Sequence, residues 1–363
     1  MNNKDLGKIL LISNYVYHYR INNYNYFAKK FREHGFIFQV VSTGHQKVNF
    51  NIDFQLDVLP TNFFKYKKYI DKELPVIVIF FMHLKDKIIF PLMHYCKWKG
   101  IATIYWNFGI NTFSPNAHLK NRLYFHLHNV ADAILLYSPN ELKHIKYKNK
   151  QKTFVAYNTL NLTELDRFSF DDYNALQNEY GVKEKFVVLF VGRITGVKNL
   201  DALLKCFRND KEIAVVIVGK GIKPHQQKII NKHRNFYYLG VIYDKYEISK
   251  IFNSCDLFCI PGNLGLAINE AFFWGKPVIT LKGYNSPEIY YLRHGENGFI
   301  VDHEKEIEKK IYNILTNRLL YNKLSTNAQK MADTEMHIDN MFHGFLKAVN
   351  FVTQGDKFRL IHL

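Results

Sequence analysis

A repeated rhythm constrains this chain most. A short apolar run, a loop, an amphipathic stretch and another apolar run follow one another, and the pattern occurs in two successive series. The first series opens with Lys8-Ile-Leu-Leu-Ile-Ser13, followed by a helix-like stretch over 21–34, closed by Gly35, and a strand over 36–42. Further strands are expected at 76–81, 101–106, 133–137 and 153–157, with helices near 62–73, 86–99, 116–129 and 139–148. The second series opens with Phe186-Val-Val-Leu-Phe-Val191. Strands are then expected at 214–219, 236–239, 257–260 and 277–281, separated by helices at 199–207, 223–233, 244–253 and 265–274, with a final helical region beyond 303. Such alternation predicts an α/β fold in which helices cover both faces of a parallel sheet. Two series predict two Rossmann-like domains with a cleft between them. The expected divisions are an N-terminal domain over 1–162, a polar linker over 163–184, a second domain over 185–335, and a helix over 336–363 that returns toward the N-terminal domain.

Composition agrees with two globular cores: the 363 residues are 47% hydrophobic, and a domain takes about 100–200 residues. Lysine and arginine number 49 against 32 acidic residues, a formal charge of +17. That surplus attracts anions, whether nucleic acid, acidic headgroups or phosphorylated small molecules, without choosing among them. The cysteines at 96, 206, 255 and 259 are too few for a disulfide framework. Cys255 and Cys259 lack the second pair that a zinc site needs, so no metal is expected and a reducing cytoplasm suits the chain. The run Ile9 to Ile12 is too short for a signal peptide core. The apolar run over 74–84 falls far below the ~20 residues of a spanning helix, so any membrane contact is expected to be peripheral.

Ligands of open α/β sheets bind beyond the carboxyl ends of the strands, and the second series places its charged and glycine residues there. Val191-Gly192-Arg193-Ile194-Thr195-Gly196-Val197-Lys198-Asn199 joins a strand to a helix. Gly192 permits close backbone approach, Arg193 offers a planar fork of donors, and Lys198 offers a mobile point charge. Both cations can converge on a diphosphate, although a solvated basic loop would read the same way. Val218-Gly219-Lys220-Gly221 and Leu239-Gly240-Val241-Ile242 end two further strands. Each is a turn or strand terminus that can also present backbone to a ligand. The longest signal runs from Pro261 through Gly262, Asn263, Leu264, Gly265 and Leu266 to Glu270, then to Gly275-Lys-Pro277. A glycine-containing loop opens a helix here, and Glu270 on that helix can accept hydrogen bonds from sugar or ribose hydroxyls.

Together these segments resemble the donor domain of retaining family 4 glycosyltransferases, also called glycosyltransferase group 1, and members that act on bacterial surface polysaccharides in particular. The match covers Val191 to Asp302 and includes Ser254-Cys-Asp256-Leu-Phe, Asn269-Glu270-Ala, Pro287-Glu288-Ile and Gly295-Glu-Asn-Gly298 in the expected order. The resemblance implies the GT-B fold. It implies that Arg193 and Lys198 neutralise the donor diphosphate and that Glu270 holds the ribose. Gly192, Gly219, Gly262, Asn263 and Gly265, with the amides around Leu264 to Leu266, would meet the donor, while Val241 and Ile242 would frame the base. The family usually carries two glutamates separated by seven residues; here Gly262 stands in the first position, so donor-sugar recognition must differ.

In the first series the usual glycine-rich loop is replaced by Tyr17-His18-Tyr19-Arg20, where Tyr19 and Arg20 are candidates to face donor phosphate or acceptor. Asn107, in Tyr105-Trp106-Asn107-Phe108-Gly109, stands near where many relatives carry a histidine; it can hydrogen-bond but cannot act as a general base at neutral pH. His118, His126 and His128 read as packing or surface residues. Phe63-Phe64-Lys65-Tyr66-Lys67-Lys68-Tyr69 interleaves aromatics with bases, as a helix lying in an anionic headgroup layer would.

The expected activity is metal-independent, retaining transfer of a hexosyl group from a UDP- or GDP-linked sugar to a hydroxyl of a growing, lipid-linked bacterial surface glycan. The enzyme would work in the cytoplasm, peripherally on the inner face of the plasma membrane. It would need no cofactor beyond the nucleotide sugar and bind no nucleic acid. The alternatives are a basic nucleic-acid-binding α/β protein and a sugar-nucleotide epimerase on the same fold.

Overall fold

The computed structural model describes residues 7–46, 51–111, 117–167, 174–283 and 285–354. Contacts divide the chain into two units, residues 1–161 with 338–363 and residues 162–337.

The first unit is built on strands β1 (Gly7–Val16), β2 (Phe36–His45), β3 (Gln55–Val58), β4 (Ile77–Phe81), β5 (Ala102–Asn107), β6 (Ala133–Leu136) and β7 (Thr153–Val155). Its helices are α1 (His18–Glu33), α2 (Phe63–Glu73), α3 (Ile89–Trp98) and α4 (Ala117–Val130). The strands pair in parallel in the order β3-β2-β1-β4-β5-β6-β7. Leu11 lies opposite Val40 on one side and Ile79 on the other. Successive side chains of a strand point to opposite faces, so the sheet feeds two cores. Ile9, Leu11, Ile79, Ile104 and Trp106 pack under Tyr24, Phe27 and Phe31 of α1, whose spacing makes one helical stripe. Leu10, Ile12, Val78, Phe80 and Tyr105 pack against residues of α2, α3 and α4. The Asn62 side chain caps α2 by accepting from the Lys65 amide at 3.1 Å. The segment expected as a helix over 139–148 instead forms two 3₁₀ turns, Pro139–His144 and Tyr147–Lys152. Ser138 caps the first turn, and its chain leaves in extended conformation at Ile145.

The second unit contains α5 (Ala175–Tyr180), β8 (Phe186–Val191), α6 (Leu200–Phe207), β9 (Ile213–Val218), α7 (Pro224–Lys232), β10 (Phe236–Tyr238), α8 (Lys245–Ser254), β11 (Leu257–Cys259), α9 (Ala267–Phe273), β12 (Val278–Leu281), β13 (Gly298–Val301), α10 (Glu304–Thr316) and α11 (Arg318–Asp333). Its six strands, also parallel, run β10-β9-β8-β11-β12-β13 around a single core cluster. Strand β9 is buried along its whole length, which explains its unbroken Ile-Ala-Val-Val-Ile-Val run. A final helix, α12 (Ile338–Thr353), packs on the first sheet. Its Phe345 meets Phe27 at 4.7 Å and Trp106 at 4.9 Å between ring centroids. At Gly344 an added Cβ would lie 2.2 Å from the Val155 carbonyl oxygen, so the helix backbone touches β7 directly.

In each sheet the winding reverses beside the unit's first strand, between β1 and β4 and between β8 and β11. Loops diverge at such a reversal and leave a crevice at the carboxyl ends of the strands, where ligands bind.

Candidate active site

In the second unit, three loops at the reversal meet backbone to backbone. Gly192, directly after β8, has φ +138°, and Gly219, directly after β9, has φ +145°. A Cβ on Gly219 would lie 1.9 Å from the Gly192 carbonyl oxygen. Glycine is required at 219 because two turns are pressed together. The loop after β11 joins them. A Cβ on Gly262 would lie 2.2 Å from the Val197 carbonyl oxygen, and the Asn263 amide donates to that same oxygen at 2.8 Å. Any side chain at 262 would meet the backbone of residue 197.

Lys198 closes this junction. Its Nζ donates to the Asn263 carbonyl at 2.9 Å and the Leu264 carbonyl at 3.3 Å. An ammonium has three N–H donors, so one remains. Burial pulls the Lys198 pKa down to about 8; Glu288 opposes the fall and Arg193 adds to it. Arg193 is exposed and has no side-chain partner among the described residues. Asn199 takes the left-handed conformation, φ 53°, between the short turn Gly196–Lys198 and α6.

The loop over 262–266 is held by the loop after β12, through residues that the motif reading did not single out. Asn285 Oδ1 accepts from the Leu264 amide at 3.1 Å, and Ser286 Oγ accepts from the Gly265 amide at 2.9 Å. The Ser286 amide donates to Asn263 Oδ1 at 2.9 Å. Two of the amides expected to meet the donor thus already have side-chain acceptors, whereas the Leu266 amide has none among the described residues. The Leu264 side chain is buried in the core and anchors the loop. The only advance signal for this clamp was the Asn-Ser-Pro turn signature at 285–287.

Glu270 lies in the first turn of α9, half-buried, and its carboxylate has no partner among the described residues. Burial raises its pKa to about 7, and no neighbouring cation offsets the rise. A carboxylate in this state gains most when a ligand hydroxyl arrives to donate to it. After β10, the Gly240 carbonyl accepts from the Gly219 amide at 2.7 Å, which leaves Val241 exposed and Ile242 half-buried at the edge of the same group of loops. Among the described residues, no group of three His, Cys, Asp or Glu is placed to hold a metal ion.

The candidates in the first unit separate. Tyr19 is exposed and stacks on Tyr17 with ring centroids 5.6 Å apart, whereas Arg20 is buried, 5% exposed. The Asn107 side chain shapes its own turn, accepting from the Gly109 amide at 2.6 Å and donating to the Tyr105 carbonyl at 3.2 Å. His128 lies behind it, fully buried, with its pKa pulled down to about 4 chiefly by burial. His126 Nε2 lies 3.0 Å from His94 Nε2.

Residues 172–331 match the family described as Glycosyl transferases group 1. An uncharacterised 41.2 kDa protein in the cps region of Klebsiella pneumoniae is 25% identical over 209 residues, covering 55% of each chain. Alpha-monoglucosyldiacylglycerol synthase of Acholeplasma laidlawii is 23% identical over 200 residues, 52% of this chain and 50% of the relative. The chain thus spans about half the length of the curated relatives it matches. Among solved structures, Anabaena Alr3699/HepE in complex with UDP superposes with a TM-score of 0.75 at 16% identity, covering 94% of this chain and 99% of that one. This likeness establishes the fold, two Rossmann-like α/β domains of the GT-B kind.

Proposed function

We propose that this chain is a nucleotide-sugar-dependent, retaining glycosyltransferase that moves a hexosyl group onto a hydroxyl of a lipid-linked bacterial surface glycan. One observation carries the reading: within the segment that matches Glycosyl transferases group 1, Arg193 and Lys198 stand after β8 and an unpartnered Glu270 stands on α9, at the reversal of the sheet. As the bond from the anomeric carbon to the departing phosphate breaks, negative charge grows on the diphosphate. The exposed guanidinium and the remaining Lys198 N–H stabilise that charge, the electrostatic work that dominates many transfer reactions. The acceptor hydroxyl gives its proton to the departing phosphate, so no protein base is required. Glu270 receives the ribose hydroxyls, and Val241 and Ile242 border the base. The solved neighbour that contains UDP makes UDP sugars the first donors to test.

The surface-glycan acceptor is supported by the cps-region relative. A peripheral position on the inner membrane face is supported by a patch on α2 and α3, where Phe64 is 74% and Trp98 78% exposed. The patch is continuous: Phe63 meets Phe64 at 5.4 Å and Tyr95 at 6.4 Å, Tyr95 meets Trp98 at 5.9 Å, and the Lys67 and Lys99 ammonium groups lie over the Tyr95 ring. Aromatics among bases suit an anionic headgroup layer. All four cysteines are free, in keeping with a reducing compartment.

A thermal-shift screen against UDP, GDP, ADP and their sugars tests the reading. One nucleotide family should raise the melting temperature of the chain and lose that effect in Arg193→Ala. Indifference to every nucleotide would remove the basis for the assignment.

A further inference from the structure

Three consecutive peptide units of the loop after β11 are held at both ends. A trans peptide is planar, with its C=O and N–H pointing opposite ways, so one unit can bridge two neighbours. In the unit joining Gly262 and Asn263, the carbonyl accepts from Thr280 Oγ1 of β12 at 3.0 Å and the amide donates to the Val197 carbonyl at 2.8 Å. The next two units are reversed. The Asn263 carbonyl accepts from Lys198 Nζ at 2.9 Å, while the Leu264 amide donates to Asn285 Oδ1 at 3.1 Å. The Leu264 carbonyl accepts from the same ammonium at 3.3 Å, while the Gly265 amide donates to Ser286 Oγ at 2.9 Å. Two chains of hydrogen bonds therefore run side by side from Lys198, through two peptide groups, to Asn285 and Ser286.

The far ends of these chains are fixed in turn. Asn285 Nδ2 donates to the Leu281 carbonyl at 3.3 Å, at the end of β12, and the Ser286 amide donates to Asn263 Oδ1 at 2.9 Å. The lysine is confined as well. An added Cβ at Gly192 would lie 3.1 Å from Lys198 Cε, and one at Gly265 would lie 3.7 Å from its Nζ. Hydrogen bonds in a chain polarise one another. An acceptor on each amide therefore makes the carbonyl of the same peptide a stronger partner for the ammonium. It also keeps the peptide from turning over. Without Asn285 and Ser286 nothing would stop either unit from turning its amide toward a ligand, and its carbonyl would then leave Lys198.

We propose that Asn285 and Ser286 are positioning residues for the transfer reaction, acting through the 263–264 and 264–265 peptide groups to fix the Lys198 ammonium and strengthen its two hydrogen bonds. Their role in turnover rests on the transferase reading; their action on the lysine does not. The amides of Leu264 and Gly265 hold the lysine rather than the donor, and the third Lys198 N–H is the one presented to the diphosphate. Two charges act on Lys198: Glu288, on the turn Pro287–Tyr291, favours the ammonium, and Arg193, from the loop after β8, opposes it. On the adjoining helices, Glu270 of α9 has no cation close enough to hold its pKa down, and Glu304 of α10 accepts from Asn199 Nδ2 at 3.0 Å.

The test uses the full chain without ligand and trace labelling by acetic anhydride across a pH series. Only the neutral amine reacts, and mass spectrometry reads the Lys198 peptide. The wild type should give a labelling midpoint near pH 8. Ser286→Ala removes one acceptor and should move the midpoint down by about one pH unit, whereas Ser286→Thr keeps the hydroxyl and should restore it. Asn285→Asp keeps the acceptor, adds a negative charge and should move the midpoint up. A merely structural role would lower the melting temperature and leave the midpoints where they are. A midpoint that is unmoved in Ser286→Ala or Asn285→Asp, that moves the opposite way, or that Ser286→Thr does not restore overturns the proposal. If Ser286→Ala does not fold, the upward shift in Asn285→Asp decides alone. In turnover with the responsive nucleotide sugar, Ser286→Ala should lower kcat about tenfold or more with little change in KM, because a displaced ammonium is missed most where charge develops. An unchanged kcat overturns the role in turnover. Failure of the transferase reading is a separate result, namely wild-type protein that responds to no nucleotide, and it leaves the labelling midpoints unaffected.

Discussion

Replacing Glu270 with glutamine should stabilise the ligand-free protein at neutral pH while impairing nucleotide binding. Burial moves this carboxyl from its ordinary 4.5 to about 7, and each tenfold change in proton affinity corresponds to ~1.4 kcal/mol. The ionised group therefore weakens the empty fold by about 3 kcal/mol. Between pH 4.5 and 7 the folded chain binds more protons at this site than the unfolded chain, so stability is fully present below that window and is lost as pH rises through about 7. Glutamine has the same shape and no titration. Urea unfolding of both proteins from pH 4.5 to 8 should give coincident midpoints at the acid end and a higher midpoint for Glu270→Gln at the alkaline end. Ribose hydroxyls that donate to the carboxylate favour its ionised form, so nucleotide binding near pH 7 should release protons. Titration calorimetry in buffers of different ionisation heat measures that release, and Glu270→Gln should abolish it. If the variant is the less stable protein at pH 8, or if proton release is unchanged, the assignment of Glu270 as an unpaired ribose acceptor is wrong.

Lys198→Met should cut the transfer rate by about a hundredfold or more, the usual scale for removing one charge-stabilising donor, as measured by nucleotide release with the responsive donor. Because the Lys198 pKa lies near 8, nucleotide affinity in the wild type should fall as pH rises through 8, and the variant should lack that fall. Gly262→Ala should destabilise the chain by about 1–3 kcal/mol through backbone overlap with residue 197; a melting temperature equal to the wild type would show that the loops can part. Changing Phe64 and Trp98 together to serine should lower binding to phosphatidylglycerol-containing vesicles in flotation assays, with little effect on stability because both side chains are exposed.

The sheets were readable because their strands are continuous β-branched and aromatic runs: β8 and β9 are mostly or wholly buried, and burial on both faces leaves no polar alternation to confuse the pattern. Helix α5 was not readable. Its six residues lie in a polar stretch, and its stability comes from packing against α8 rather than from periodicity of its own. The residues of the donor-type loops were legible as motifs, but their hydrogen bonds were not. The sequence shows a glycine at 262 but not that the carbonyl of Val197 occupies the space a side chain would need. The grip of Asn285 and Ser286 on Leu264 and Gly265 joins residues 21 apart, a relation that neither spacing nor propensity encodes. For the same reason Arg20 read as a solvated or cleft-facing side chain, although the fold encloses it in aromatic rings.

The position of α12 gives synthesis a direction. The strands of the first sheet leave the ribosome first, yet Trp106, Phe27 and Phe31 wait for Phe342 and Phe345 near the other end of the chain to cover them. Residues 162–337 contain their own core and can close it sooner. The unit that is translated first is therefore completed last, and a nascent chain stalled before residue 338 would carry an uncovered aromatic sheet face, which chaperones recognise and which favours aggregation.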